Sequence, residues 1–418
     1  MKVLWFSNVS ISKNETTSTG TWIQPLINLI TLNNDIELYI IATSNVKTLT
    51  RHDYSGVKQW LVESNFSRNA QNLPNTPYLE VITKLVKEIS PDVIHVWGTE
   101  SFWGTLFTND FIRGIPILLE MQGLKGECGK IFTADLTISE KISCLGIKEL
   151  VTRKNLFTNK ASYTSWGKLE SAFIAKADII NVQSDWMENL VRSKCKGAII
   201  NRICLPLRAE FYNAESWKQS NLGLNNNIFI MSSGATPYKG VHTAIRALAI
   251  IREYTPNVRL KVAGKFVFDG IRKDGYACWL RSLAKKLEVW DCIDWLGSIS
   301  AAEIITVMQN ARVNLVCSFI ESYCLALAEA MYLGVPCVSS YNGGTSYLGD
   351  DSSVLFYQAG DYADCAFKVL SLMDSKNSIM HKSLNMKNIS KDRHNISFIT
   401  NNLFETYRKL NDNKNTKY

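Results

Sequence analysis

The second half of the chain alternates short apolar runs with helical patterns, and this alternation limits the fold more than any other feature. The apolar runs are typical of buried strands, and each is followed by apolar residues at helical spacing, as with Val241, Ile245 and Leu248. Strands that alternate with helices in this way predict βαβ units and a parallel sheet. The predicted strands are 227–233, 258–263, 293–296, 313–318 and 336–340, and the helices are 241–254, 276–289, 301–310, 324–333 and 361–373.

The first half repeats this alternation more loosely. Its predicted strands are 2–7, 36–42, 92–97, 116–120, 178–182 and 198–204, and its helices are 21–32, 76–89, 100–112, 165–176 and 184–193. A chain of 418 residues is long enough for two such domains. The fold predicted is therefore α/β, with two Rossmann-like domains whose strand ends meet at one cleft.

The domain boundaries follow from breaks in this pattern. We expect an N-terminal domain over residues 1–207, in which 123–164 fit no βα unit and form an insertion. A second domain covers 208–394. Residues 395–418 predict a C-terminal helix that packs back toward the N-terminal domain, with a disordered tail after about residue 411.

Composition indicates a globular protein of the cytosol. The chain is 46% hydrophobic and 20% charged, and it has no apolar run long enough to span a bilayer. The N-terminus resembles a buried strand, not a signal peptide. The ten cysteines form no CxxC pair, which favours a reducing compartment.

Charge gives a weaker indication. The net charge is +8, and residues 121–176 hold nine Lys or Arg against five Asp or Glu. This excess suits a phosphate-bearing or membrane-surface partner at the inner face of the membrane, or it is simply a solvated basic surface. Nothing indicates nucleic acid. The histidines have no metal-ligand spacing and no Asp-x-Asp is present, so no metal is expected.

The strongest candidate site lies between Ser318 and Gly344. The helix there is apolar on nearly every face, which is typical of a buried helix, yet it contains Glu329. A buried carboxylate needs a partner, either a structural cation or the hydroxyls of a ligand. Glu321 precedes the helix, with Ser322 as a plausible N-cap. The amides of Tyr323, Cys324 and Leu325 would form a site for an anion such as a diphosphate.

Three further segments are weaker on their own. Residues 232–240 (SSGATPYKG) follow a strand and open a helix, so Lys239 belongs to a phosphate-binding loop or is an ordinary surface lysine. The polar loop 8–22 contains Gly20 at a helix start, and Gln122 follows an apolar strand. We interpret His95 as a structural residue at the end of its strand.

Taken in order, these segments resemble the glycosyltransferases of family 4, which have the GT-B fold and retain anomeric configuration. The resemblance covers nearly the whole chain. The matching features are the glycine loop at Gly20, Pro91 to His95, the loop from Gly234 to Gly240, the Glu-x7-Glu motif from Glu321 to Glu329, and Gly334 to Val338.

The resemblance implies a role for each of these residues. Glu321 would contact the hydroxyls of the donor sugar, and Glu329 the ribose of the nucleotide. Lys239 would bind the diphosphate, helped by the amides of Tyr323, Cys324 and Leu325. Gly20 would let the first loop approach the diphosphate. The donor would be linked to UDP or GDP, with no cofactor and no metal.

Two positions depart from the family pattern. The family usually has an arginine where this chain has Gly234, and often a histidine where it has Gln122. Gln122 can hydrogen-bond a sugar hydroxyl but cannot act as a base, and a polysaccharide-assembly subset is similar here. Arg208 is a candidate replacement cation.

We therefore expect an enzyme that transfers a sugar to a glycan or lipid-linked acceptor, in surface polysaccharide biosynthesis. The alternative is a non-catalytic homologue that binds sugar nucleotides or glycans.

Overall fold

The protein contains two units, each built on its own β-sheet. The computed structural model describes residues 1–12, 23–69, 73–218, 226–374 and 376–416. Unit 1 comprises Met1–Gly126, Ser165–Ala209 and His394–Tyr418, and unit 2 comprises Glu127–Thr164 and Glu210–Arg393. The α/β class and the parallel sheets predicted from the sequence are confirmed.

Unit 1 has an eight-stranded sheet. Its strands are β1 (Lys2–Ser7), β2 (Glu37–Ser44), β3 (Thr50–Arg51), β4 (Lys58–Glu63), β5 (Val93–Trp97), β6 (Ile117–Glu120), β7 (Ile179–Val182) and β8 (Ile200–Arg202). Their order is β3-β4-β2-β1-β5-β6-β7-β8, and all neighbours are parallel except β3 and β4. The chain thus leaves β1 toward one edge and continues from β5 toward the other, which makes β1 and β5 the topological switch point.

Several helices precede β9 along the described chain, and two of them, α5 and α6, belong to unit 2. These helices are α1 (Gln24–Ile30), α2 (Thr76–Ile89), α3 (Thr105–Thr108), α4 (Lys125–Lys130), α5 (Ile138–Ser143), α6 (Ile147–Thr152), α7 (Leu156–Lys176), α8 (Asp185–Lys194) and α9 (Ala209–Tyr212). Helix α2 shows why such segments form. The Asn75 side chain caps it by accepting from the Tyr78 N–H, and Leu79, Ile82 and Val86 are buried at helical spacing.

A buried polar network lies in the core of unit 1. The Trp5 indole N–H donates to the Tyr407 hydroxyl at 2.9 Å, and that hydroxyl lies 2.8 Å from His95 Nδ1. On the other side of the ring, His95 Nε2 is 3.4 Å from Glu120. Asn181 donates to both Glu120 oxygens at 2.8 Å. The network joins the last helix of the chain to β1, β5 and β6, so His95 has a structural setting.

Unit 2 has six strands, all parallel. They are β9 (Asn227–Met231), β10 (Arg259–Ala263), β11 (Ile293–Gly297), β12 (Val313–Val316), β13 (Cys337–Tyr341) and β14 (Leu355–Gln358), in the order β11-β10-β9-β12-β13-β14. The remaining helices of the chain are α10 (Val241–Tyr254), α11 (Gly275–Lys286), α12 (Ala301–Gln309), α13 (Leu325–Leu333), α14 (Thr345–Leu348), α15 (Tyr362–Asp374), α16 (Lys376–Arg393) and α17 (Ile396–Thr416).

The segment 127–164 groups with unit 2, whereas the sequence suggested an insertion of the N-terminal domain. The reason is a set of polar contacts that no local pattern reveals. Asp135 lies 2.7 Å from His242 Nε2, and Glu140 pairs with Arg246 at 2.8 Å. Both partners lie on α10. The boundary between the two units falls at Ala209 and Glu210, two residues after the predicted one.

Other differences concern single elements. Strands β3, β4 and β14 and helix α16 were not predicted, and the helix expected at 100–112 is a 3₁₀ turn, Phe102–Gly104, followed by the short α3. Helix α17 belongs to unit 1 and continues to Thr416, past the point where a disordered tail was expected.

No helix in the described part of the chain is both long and apolar enough to cross a membrane. The ten cysteines all fall within it, and none of them forms a disulfide there.

Candidate active site

The loop after β9 is held against the end of β12 by a glycine. Gly240 has φ +69°, and a Cβ there would lie 1.8 Å from the Cys317 carbonyl oxygen, so only glycine fits. The Phe319 N–H donates to the Tyr238 carbonyl at 2.7 Å. These contacts set Lys239, at the end of the 3₁₀ turn Pro237–Lys239, beside the residues that follow β12.

Lys239 and Glu321 form the ion pair at the centre of this site. Lys239 Nζ donates to Glu321 Oε1 at 2.7 Å, and the Ser318 hydroxyl donates to the same oxygen at 2.6 Å. Their side chains are 18% and 15% exposed. Burial alone would lower the pKa of Lys239, but the Glu321 carboxylate outweighs it and holds that pKa above its ordinary value. The ammonium is therefore charged and partly accessible.

Asn342 fixes the backbone around Glu321. Its side-chain oxygen accepts from the Glu321 N–H at 3.1 Å, and its amide nitrogen donates to the Ser318 carbonyl at 2.8 Å. The Gly344 N–H also donates to the Glu321 carbonyl at 2.8 Å. Glu321 is thus positioned by its backbone as well as by Lys239.

The N-terminus of α13 differs from the expectation that Ser322 caps it. The N-cap is Cys324, in the left-handed region at φ 78°, and no side chain caps the helix. A left-handed cysteine costs about 1–3 kcal/mol, and such strain is concentrated at functional sites. The first amide bonded within the turn is that of Leu327, to the Cys324 carbonyl at 3.1 Å. The amide of Leu325 precedes it, at the positive end of the helix dipole.

Three other predicted donor residues are buried around this helix. Tyr323 is 2% exposed and Cys324 is 6% exposed, and burial raises the pKa of the Cys324 thiol. Glu329 is 1% exposed, inside α13. The structure thus brings Lys239, Glu321 and the α13 N-terminus together and leaves Glu329 about one helical turn further along.

Gly234, where the family usually has arginine, has a backbone that suits glycine. Its φ is +145°, a conformation in which any side chain is strained. A Cβ there would lie 3.5 Å from the carbonyl oxygen of Lys265, which follows β10 and is exposed. The backbone of Lys265, a lysine that the sequence did not single out, therefore adjoins Gly234. Arg208, the predicted replacement, lies in unit 1.

Unit 1 has a cavity of about 240 Å³ at the carboxyl ends of its central strands. Asn8 follows β1 and Glu100 follows β5, so both lie at the topological switch point, where open α/β sheets bind ligands. The lining combines polar, charged and aromatic side chains: Asn8, Thr43, Ser64, Phe66, Arg68, Glu100, Ser101, Phe102, Lys125 and Trp166.

Glu100 is the chemically notable residue of this cavity. Its Oε2 is buried without a hydrogen-bond partner among the described residues, and Oε1 is 3.4 Å from the Asn8 amide nitrogen. Burial raises the pKa of Glu100. The Lys125 ammonium donates to the Glu100 carbonyl at 2.6 Å and lies 4.5 Å from the Trp166 ring centre. A hydroxyl donor from a ligand would satisfy the unpartnered oxygen.

Gln122 lies close to this cavity in the fold. It precedes Gly123, whose carbonyl accepts from the Thr99 hydroxyl at 2.8 Å. A Cβ on Gly123 would lie 3.4 Å from Glu100 Oε2. The Gln122 amide nitrogen is buried with no partner in the part of the chain that is described. Glu100 Oε2 and the Gln122 amide nitrogen are thus an acceptor and a donor that the described residues leave unsatisfied. Gly20 lies outside the described residues.

Among the described residues no group of three or more His, Cys, Asp or Glu side chains could hold a metal ion.

Part of the sequence of unit 2 matches a known protein family. Residues 213–392 match the family described as Glycosyl transferases group 1. This domain contains Lys239, Glu321 and α13. A curated relative, the glycogen synthase of Mycobacterium tuberculosis, is 32% identical over 142 residues. That alignment covers 32% of this chain and 31% of the relative, so the match spans about a third of the relative's length.

Solved structures resemble nearly the whole chain in fold. Sucrose-phosphate synthase from Thermosynechococcus elongatus has a TM-score of 0.74 at 16% identity, covering 98% of this chain and 99% of that one. The Anabaena protein HepE in complex with UDP-glucose has a TM-score of 0.68 at 15% identity, covering 98% and 100%. These likenesses show that the chain has the GT-B fold, and the match to the glycosyltransferase family model is confined to residues 213–392.

Proposed function

We propose that the protein is a glycosyltransferase that transfers a sugar from a nucleotide-diphosphate-sugar to a glycan or lipid-linked acceptor. The transfer retains anomeric configuration and needs no metal ion. The reaction belongs to the biosynthesis of a surface polysaccharide.

The observation that carries this proposal is the Lys239–Glu321 pair at the N-terminus of α13. The domain that contains it matches the glycosyl transferases group 1 family. Both side chains are partly accessible, and one is a hydrogen-bond donor and the other an acceptor. A donor sugar provides hydroxyls for Glu321, and its diphosphate provides charge for Lys239 and for the Leu325 amide.

The diphosphate needs more positive charge than Lys239 alone supplies. We assign this second role to Lys265, because its backbone adjoins Gly234 within unit 2. Arg208 remains the other candidate. The ribose of the nucleotide is the proposed ligand of Glu329.

The cavity of unit 1 is the proposed acceptor site. Glu100 provides an unsatisfied buried oxygen, Gln122 an unsatisfied buried donor, and Trp166 an aromatic ring. Sugar units are recognised by this combination of hydrogen bonds and apolar faces.

The transfer itself exchanges one bond to the anomeric carbon for another. The acceptor hydroxyl attacks that carbon from the side of the leaving diphosphate, and the new C–O bond forms as the bond to the phosphate oxygen breaks. The hydroxyl proton passes to the leaving phosphate oxygen. The chain contributes charge stabilisation, because Lys239 and the α13 dipole face the developing negative charge.

The test is a screen of UDP-glucose, UDP-galactose, UDP-N-acetylglucosamine and GDP-mannose with EDTA present. HepE and another structural neighbour were solved with UDP-sugars, which makes UDP-glucose the first donor to try. We expect slow release of nucleoside diphosphate from one donor, abolished in Glu321→Gln and retained in Glu253→Gln, an exposed glutamate of α10. Release that requires a divalent metal, or that survives Glu321→Gln, would refute the proposal.

Gly234 favours a second candidate, a homologue that binds sugar nucleotides without turning them over. The same screen distinguishes the two, because this homologue would bind a donor and release no diphosphate.

A further inference from the structure

Large apolar side chains are exposed on one short stretch of unit 2. Six of the eighteen exposed large hydrophobic residues in the described part of the chain lie between residues 138 and 157, on α5, α6 and the start of α7. They are 48% to 77% exposed. We call them the apolar patch: Ile138, Ile142, Ile147, Leu150, Val151 and Phe157. Single exposed apolar residues are common on protein surfaces, whereas a cluster of them often marks an interaction surface.

The patch lies on one side of each short helix. Ile138 and Ile142 are four residues apart on α5, and Ile147 and Val151 are four apart on α6, so each pair shares a helix face. Glu149 lies roughly 200° around α6 from Ile147, at about 100° per residue. The side of α6 opposite the patch is thus the side that carries Glu149.

Between residues 131 and 160, all three acidic side chains have partners on other elements of unit 2. Asp135 and Glu140 pair with residues of α10. Glu149 is buried and accepts from the Gly275 N–H of α11 at 3.1 Å. These contacts attach α5 and α6 to α10 and α11, and they involve all three carboxylates of residues 131–160.

Among the cations of the segment, Lys148 pairs with Asp274, but three others are exposed. Arg153, Lys154 and Lys160 are exposed, and none pairs with a carboxylate within the described residues. This surface therefore combines an apolar face with exposed cations, while its acidic side chains are bound to α10 and α11. Such a surface complements an anionic lipid bilayer.

We infer that α5, α6 and the start of α7 dock the protein onto the surface of an anionic lipid bilayer. The apolar patch inserts into the interface between headgroups and acyl chains, while Arg153, Lys154 and Lys160 contact lipid phosphates. This surface goes beyond the proposed transfer reaction and does not depend on it.

The test is flotation of the full chain with vesicles of phosphatidylcholine containing about a third phosphatidylglycerol, compared with pure phosphatidylcholine. We expect binding to the anionic vesicles that weakens as salt is raised. Leu150→Glu should lower binding at least about tenfold, because it places a charge in the interface. Arg153→Gln with Lys154→Gln should lower it about 10- to 30-fold, from the loss of two contacts with anionic lipid.

Matched controls separate this surface from general effects. Leu32→Glu changes a leucine of unit 1 that is even more exposed than Leu150, and Lys84→Gln with Lys87→Gln removes two exposed lysines of α2. Both should bind vesicles like the wild type. Absence of wild-type binding, or equal binding by Leu150→Glu, would overturn the inference. So would wild-type self-association that Leu150→Glu abolishes, since the patch would then cover a second copy. Donor turnover should be unchanged in every variant, which would show that lost vesicle binding is not the result of a folding defect.

Discussion

Lys239 and Glu321 form an ion pair at 2.7 Å. In the proposed function, the donor's phosphate would bind Lys239 and its sugar would bind Glu321, so donor binding would separate the pair. The sequence predicted both residues, because each follows a strand and opens a helix. It missed Glu100 and Lys265. Glu100 is notable only because its Oε2 is buried and has no hydrogen-bond partner among the described residues. Lys265 is notable only because β10 and β9 are neighbours in the sheet, which brings its backbone next to Gly234. Neither property follows from local spacing.

Lys265 and Arg208 compete as the replacement for the usual arginine, and their variants can decide between them. We expect Lys265→Ala to weaken binding of the preferred donor about 10-fold or more, the value of one charge-assisted contact. Arg208→Ala should change it less than threefold. Equilibrium binding of the donor measures both. The reverse ranking would assign the diphosphate contact to Arg208.

Glu120 predicts a pH dependence of stability. Burial raises its pKa to about 8 in the folded protein from 4.5, so the folded state holds a proton that the unfolded state has lost. The contribution of Glu120 to the free energy of unfolding is therefore fully present below about pH 4.5, and it is lost as the pH rises toward 8. Glu120→Gln does not ionise. We therefore expect the stability difference between wild type and Glu120→Gln to shift by about 2 kcal/mol, at the expense of the wild type, from pH 6 to pH 8.

Chemical denaturation of the two proteins at both pH values measures this difference. A constant difference would show that Glu120 titrates near its ordinary range in the fold.

Among the elements, those of unit 2 were the most predictable. Strands β9 to β13 and helices α10 to α13 were all expected, because continuous apolar runs and helical spacing are local signals. Strand β4 was missed because its sequence, KQWLVE, mixes polar with apolar residues. The N-terminus of α13 was misplaced because Ser322 satisfies the pattern of an N-cap, whereas the tertiary structure holds Cys324 in a left-handed conformation.

The loop that presents Lys239 depends on Gly240. We expect Gly240→Ala to destabilise unit 2 by more than about 2 kcal/mol and to abolish donor binding, because its Cβ would collide with the Cys317 carbonyl. Gly270→Ala is the matched control, since it has φ +80° and open space around it. It should cost only about 1 kcal/mol, the strain of a left-handed alanine. Thermal unfolding and donor binding test both variants. An equal loss of stability in the two would contradict the close approach of Gly240 to the Cys317 carbonyl.

At the scale of the whole molecule, two parallel sheets could be predicted, but the division of the chain between them could not. Residues 127–164 group with unit 2 through Asp135, Glu140 and Glu149, whose partners lie about a hundred residues away along the chain. A local pattern shows only that such a segment is helical and basic.

The last helix is attached to unit 1 through Tyr407. Tyr407→Phe removes the acceptor of the Trp5 indole N–H and the partner of His95 Nδ1 in a fully buried setting. We expect a loss of about 1–3 kcal/mol, the cost of leaving buried polar groups unsatisfied. Tyr341→Phe, at an exposed tyrosine, should cost almost nothing. The denaturation midpoints of the two variants measure this, and equal values would show that the network contributes little.

The central claim is that unit 2 binds a nucleotide-sugar through Lys239. Calorimetric titration of the full chain with the four nucleotide-sugars, in EDTA, tests it most directly. We predict that one donor binds, that Lys239→Ala weakens its affinity about 10- to 100-fold, and that Lys261→Ala, which removes a lysine paired with Asp294, leaves it unchanged. If no donor binds, or if Lys239→Ala binds as tightly as the wild type, the claim is wrong.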